Sequence, residues 1–207
     1  MATVEFFEDT HEYLVDGIQV PSVTTLIKKI IPGKYDDVNP AILKKKAEYG
    51  TKGHKCIEEI DKYMMDNEEA LDYIRELRAN NEINKDLEIS LREYIRLRNK
   101  YQMEAIANEM VVYYKNEFVG TLDKIALING LKNLIDIKFT AELDKEYLSW
   151  QLGMYRMAYK WLYGEDLEIS KCLWLPKKKL GQLADIIPKT EEEILKKLEE
   201  LKEYEHE

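Results

Sequence analysis

Val119-Gly-Thr-Leu-Asp123-Lys-Ile-Ala-Leu-Ile128, Asn129-Gly130, Leu131-Lys-Asn-Leu-Ile-Asp136-Ile-Lys138 is the stretch whose reading decides the fold. The runs on either side of Asn129-Gly130 are short, apolar and β-branched, and Asn-Gly between such runs is a strong hairpin signal. The spacing predicts Asp123 on one strand and Asp136 and Lys138 on the next. Residues two apart on a pleated strand share a face, so Asp136 and Lys138 point together while Ile135 and Ile137 turn to the opposite face and a core. Asp123 reaches the same polar face from the neighbouring strand. Two carboxylates and an ammonium gathered in an apolar hairpin are costly to bury. A divalent cation between the carboxylates removes that cost.

Downstream, Asp144 to Tyr163 reads as a helix with Leu148, Leu152, Tyr155 and Tyr159 near four-residue steps, ended by Gly164. Gln151 and Tyr155 are i and i+4 and share a face. A buried Gln there needs polar partners, which the edge of the sheet supplies, whereas Tyr155 alone reads equally well as a core aromatic. Strands are predicted over 167–175 and 184–187, each stopped by a proline. Thr190 and Glu193 form a capping box that opens a terminal amphipathic helix over 190–207. Its Leu195, Leu198 and Leu201 suit packing on the body, on a second copy or on a partner protein.

Upstream, residues 4–20 read as a hairpin, and Pro21-Ser22-Val23-Thr24 opens a helix. Ser22 and Thr24 fit simple capping there, or the holding of a phosphate group. Pro32-Gly33 ends that helix. Asn39-Pro40 starts the next, which carries Lys44, Lys45 and Lys46. Gly50 and Gly53 are predicted to flank a turn before His54, which then opens a long helix. His54 fits a packing or capping role as well as a ligand role. Residues 56–103 have helical periodicity, interrupted at Asn80-Asn81 and Asn84, and form a candidate insertion or cap over the sheet. Strand character then runs from Ile106 to Tyr114. Glu109 starts that strand, as an exposed edge residue or as a neighbour of a metal. The predicted fold class is α/β, a single domain over 1–207 with a mixed central sheet flanked by helices.

A chain of 207 residues with net charge −9 looks at first unlike a nucleic-acid binder. The acid is localised, with residues 191–207 carrying −5 and residues 57–86 carrying −6, which leaves +2 for the remainder. Within that remainder, Lys28 to Lys55 holds eight lysines against three acids, and Lys177-Lys178-Lys179 forms a second basic cluster. Both clusters read as a solvated surface or as a basic track. Cys56 and Cys172 are the only cysteines, too few for a structural zinc site or an iron–sulfur cluster. There is no G-x-x-x-x-G-K-[ST] loop, so no ATP motor is expected, and no apolar run or signal peptide points to a membrane or to export. A soluble cytoplasmic protein is expected.

Taken together, Pro21-Ser22-Val23-Thr24, Gly50-Thr-Lys-Gly53-His54, Gly120-Thr-Leu-Asp123, Asp136-Ile137-Lys138 and Gln151-x-x-x-Tyr155 resemble the PD-(D/E)xK nucleases in their RecB-like form. The layout is similar to phage and mitochondrial genome-maintenance exonucleases and covers about residues 12 to 163. The resemblance implies a restriction-endonuclease-like core. It also implies a Mg²⁺- or Mn²⁺-dependent deoxyribonuclease, an exonuclease on single-stranded ends before a structure- or sequence-specific endonuclease or a non-cleaving relative. It implies His54, Asp123, Asp136 and the Ile137 carbonyl as metal ligands, with Lys138, Gln151 and Tyr155 completing the catalytic set. Ser22, Thr24 and Lys44 to Lys46 would contact DNA. Relatives commonly place a hydroxyl directly after the lysine; here Phe139 intervenes before Thr140. A bacterial protein, or a phage-encoded one working in the host cytoplasm, is the implied setting.

Overall fold

The computed structural model describes residues 3–7, 12–33 and 39–205. In chain order the elements are β1 (Val4–Phe7), β2 (Glu12–Val15), β3 (Ile18–Val20), α1 (Val23–Ile30), α2 (Pro40–Lys62), α3 (Asn67–Ala79), α4 (Lys85–Lys100), β4 (Glu104–Tyr114), β5 (Phe118–Ile128), β6 (Leu131–Lys138), α5 (Lys145–Tyr163), β7 (Ile169–Trp174), β8 (Gln182–Asp185) and α6 (Glu191–Glu205). The fold is α/β: a mixed five-stranded sheet in the order β4-β5-β6-β7-β8, helices against both faces, and a separate three-stranded antiparallel sheet β1-β2-β3.

The β5–β6 hairpin forms as the sequence predicts. Asn129 and Gly130 take φ of 53° and 77°, the positive values of a tight hairpin turn, and Ile128 pairs with Leu131. In the five-stranded sheet only β6 and β7 are parallel. A parallel pair needs a crossover, and α5 provides it. Asp144 caps α5 by accepting from the Tyr147 N–H, and Gly164 at φ 68° stops it.

Successive residues of β6 enter opposite cores, as a pleat requires. Leu134 joins Val112 and Cys172 under α1, α5 and α6, while Ile135 and Ile137 join α2, α3 and α4. Asp136 and Lys138 therefore lie on the α5 side. The apolar stripe of α6 is turned inward, with Ile194 and Leu198 buried in the α5 core.

Two local predictions differ from the structure. Residues described within 4–20 form three strands, because Asp16-Gly17 adds a second reversal before Ile18; the first predicted turn lies outside the described residues. The expected turn at Gly50 to Gly53 is absent, and α2 runs unbroken through both glycines for 23 residues. Interior glycine costs a helix about 1 kcal/mol relative to alanine. Tertiary packing overrides that signal at Gly53, where a Cβ would come within 2.3 Å of the Phe139 ring. The glycine lets the helix lie directly on the residue that follows Lys138.

Candidate metal centre

The two hairpins bring three carboxylates side by side. In β4–β5, Tyr114 pairs with Phe118, and the register places Glu109 between the pairs Asn108–Lys124 and Met110–Leu122, level with Asp123. In β5–β6 the ladder ends at Lys124–Ile135, one step short of Asp123 and Asp136. There the Asp123 side chain takes over from the ladder, its Oδ2 accepting from the Ile137 N–H at 2.6 Å. That bond fixes one carboxylate oxygen where the two strands part.

α2 lays His54 against this row. Its Nδ1 is 3.3 Å from Glu109 Oε1 and 3.8 Å from Asp123 Oδ2. One ligand atom from each of His54, Glu109 and Asp123 lies within 4.8 Å of the others, a spacing compatible with one shared cation. An imidazole nitrogen with two carboxylate oxygens suits Mg²⁺ or Mn²⁺, the nitrogen favouring Mn²⁺. Burial alone would lower the His54 pKa, but the Asp123 and Glu109 carboxylates outweigh it and hold the ring up at about 9. Without a cation, the imidazolium is what neutralises the carboxylates. Glu109 reaches the cluster from a strained backbone, φ 47° within a strand, a conformation that costs a non-glycine residue about 1–3 kcal/mol and persists where the surroundings enforce it.

Asp136 sits beside the cluster but is turned away from it. Its Oδ1 accepts from Lys138 Nζ at 2.7 Å, and its Oδ2 lies 4.0 Å from Cys172 Sγ. Burial pushes the Asp136 carboxyl above the ordinary carboxylate range, with Lys138 opposing the rise and the neighbouring Asp123 adding to it. For Lys138, burial opposes the charge, yet Asp136 and Asp123 more than compensate and raise its pKa above the ordinary lysine range. The ammonium also donates to Gln151 Oε1 at 3.2 Å, and Gln151 Nε2 donates to the Tyr155 hydroxyl at 3.4 Å. Gln151 is thus satisfied along one face of α5. Gly120 makes room for this relay: a Cβ there would lie 2.8 Å from the Tyr155 ring and 3.3 Å from Val23.

The remaining predicted residues take other positions. Ser22 Oγ caps α1 by accepting from the Thr25 N–H and is 2.9 Å from the hydroxyls of Thr24 and Thr25. This end of α1 is tied to the hairpin strand, since the Val119 N–H donates to the Pro21 carbonyl. Thr140 donates its hydroxyl to the Glu142 carbonyl at 2.7 Å and takes no part in the Lys138 network. Lys44, Lys45 and Lys46 are exposed on α2.

A buried ionic network lies next to the cluster, and sequence reading did not find it. Lys124 is fully buried and its ammonium pairs with Asp61 on α2, while the Tyr94 hydroxyl on α4 donates to the same carboxylate. Lys124 Nζ also lies 3.2 Å from the Tyr94 oxygen. The network joins the helix of His54 to the strand of Asp123. No local signal reports it, because its members stand 30 or more residues apart and each looks like an ordinary surface residue. No protein-family model matches the chain, and no curated protein matches it in sequence.

Proposed function

We propose that this chain is a metal-dependent deoxyribonuclease of the PD-(D/E)xK, RecB-like type, acting as an exonuclease on single-stranded DNA ends. The observation that carries the reading is the His54–Glu109–Asp123 cluster standing directly beside the Asp136–Lys138 pair. A cation held by His54, Glu109 and Asp123 would polarise the phosphate and lower the pKa of an attacking water.

The protein groups divide the remaining work. Asp136 and Asp123 raise the Lys138 pKa and favour its charged form, which suits it to act as a positive charge toward a phosphate oxygen and toward the water it orients. Asp136 and Gln151 hold that ammonium in place. Tyr155, packed on Gly120 and bonded to Gln151, keeps the glutamine in position. Exposed lysines of α2 supply backbone contacts to the strand. The proposed place of work is the cytoplasm; no helix among the described residues is long and apolar enough to cross a membrane.

Digestion of end-labelled linear single strands, duplexes and circular single strands with Mg²⁺ or Mn²⁺ tests the proposal. Release of nucleotides from linear single strands with circles left intact is the expected result. Cutting of circles would identify an endonuclease on the same site, and binding with no cleavage of any substrate would identify a non-cleaving relative.

A further inference from the structure

The C-terminal end of β7 carries an aromatic residue that the catalytic arrangement does not use. Trp174 pairs in register with Lys138 of the adjacent parallel strand. Its indole N–H donates to the Thr140 carbonyl at 2.8 Å, two residues beyond Lys138, which fixes the orientation of the ring. It is only partly buried, and Lys179 Nζ stands 5.5 Å from its ring centroid. The ring packs in part against the apolar core under α5 and is in part open to solvent, with a cation near it.

The Lys177 to Lys179 turn that follows is anchored at both ends and exposed in the middle. Ser90 donates to the Leu175 carbonyl, the Gly181 N–H donates to Glu93, and Arg96 donates to the Gly181 carbonyl, so α4 grips both ends of the loop. Between them all three lysines are exposed. Lys179 stands by the indole, while Lys177 stands 3.8 Å over the Tyr49 ring and 3.8 Å from Asp86, so the turn carries exposed cations on from the end of the strand that pairs with Lys138.

We propose that Trp174 is a stacking platform for an unpaired base of the bound strand, with the Lys177 to Lys179 turn holding the adjoining phosphates. The proposal rests on the nuclease reading of the neighbouring site and adds the source of its single-strand preference. A π-face accepts any base, and flanking cations follow the backbone, so the contact reads strandedness and not sequence. In a duplex the base faces are already stacked on each other and the platform finds none free. As a base arrives on the ring, the Lys179 ammonium leaves it for a phosphate.

The test measures binding in Ca²⁺ by anisotropy of labelled oligo(dT) and of an abasic strand of equal length and charge. Wild-type protein should bind oligo(dT) roughly 5- to 100-fold more tightly than the abasic strand, the range for one base–aromatic stack. Trp174→Ala should remove that preference, and Trp174→Phe, which keeps a ring, should retain most of it. Replacing Lys177, Lys178 and Lys179 with Gln should weaken both strands alike and flatten the salt dependence. An unchanged oligo(dT)-to-abasic ratio in Trp174→Ala, or no preference in the wild type, overturns the platform. Cleavage in Mg²⁺ or Mn²⁺ separates this from the nuclease reading: base-dependent binding without cutting leaves the platform standing and removes the nuclease, whereas cutting indifferent to Trp174 does the reverse.

Discussion

Loading the cluster with a divalent cation should expel a proton from His54. The His54 pKa rises from 6.5 to about 9 in the folded protein, because Asp123 and Glu109 outweigh the effect of burial. At about 1.4 kcal/mol for each pH unit, that rise is worth about 3 kcal/mol to the metal-free fold. The folded value is raised, so this stabilisation is fully present below about pH 6.5 and is lost as pH climbs to about 9. At pH 7 the ring is protonated and must shed its proton before its nitrogen can bind a metal. Titrating Mn²⁺ calorimetrically in buffers of different ionisation enthalpy should therefore show close to one proton released per ion at pH 7. Apparent affinity should rise about tenfold for each pH unit between 6 and 8. His54→Ala should release almost none and show a nearly flat pH dependence, because the imidazole is the group that must lose a proton to bind. The advantage of wild type over the variant should thus widen as pH rises. Equal proton release by the two proteins, or none by either, would refute the placement of His54 among the ligands.

Three further outcomes follow from the geometry. Asp136→Ala and Lys138→Ala should each abolish cleavage, and Lys138→Ala should also lose about 3–5 kcal/mol in denaturant unfolding, since it strands a buried carboxylate; cleavage at near wild-type rates by either folded variant would contradict the assignment. Gly53→Ala should be destabilising by about 1–3 kcal/mol despite the better helix propensity of alanine, because its methyl meets the Phe139 ring, and Phe139→Leu should recover part of the loss in thermal melts. Replacing Lys44, Lys45 and Lys46 with Gln should lower DNA affinity and reduce the slope of log K against log salt by about 0.7 for each single-strand phosphate no longer neutralised; an unchanged slope would leave them as a solvated helix face.

Much of this architecture was legible because its signals are local. Asn129-Gly130 dictates a turn by backbone tolerance, Gly164 stops α5, and the Thr190–Glu193 box starts α6, each within four residues. The juxtaposition of Glu109 with Asp123 turns on one residue: a two-residue turn at Lys115-Asn116 would set Glu109 opposite Leu122, and it is the three-residue turn between the paired Tyr114 and Phe118 that brings it level with Asp123. The left-handed φ of Glu109 was not legible, because nothing in a glutamate's neighbours signals that conformation. Gly53 misled for the opposite reason. Its local meaning is a break, and only Phe139, far along the chain, reveals that the missing side chain makes space. The Lys124–Asp61–Tyr94 network was illegible on the same ground, since burial of charge depends on partners that sequence distance hides.

The unbroken course of α2 also sets a measure. Lys44 to Lys46 precede His54 by eight to ten residues of continuous helix, which at 1.5 Å per residue is about 12–15 Å along its axis. A hinge at Gly50 would have made those lysines a swinging arm whose grip slid along the strand. Under the proposed nuclease function, a rigid rod would make them a ruler: the point of grip and the point of cutting would stand a constant span apart, about four stacked nucleotides at a rise of 3.4 Å. A strand shorter than that span cannot be held at both marks at once, so digestion should slow as the remaining strand shortens to that length.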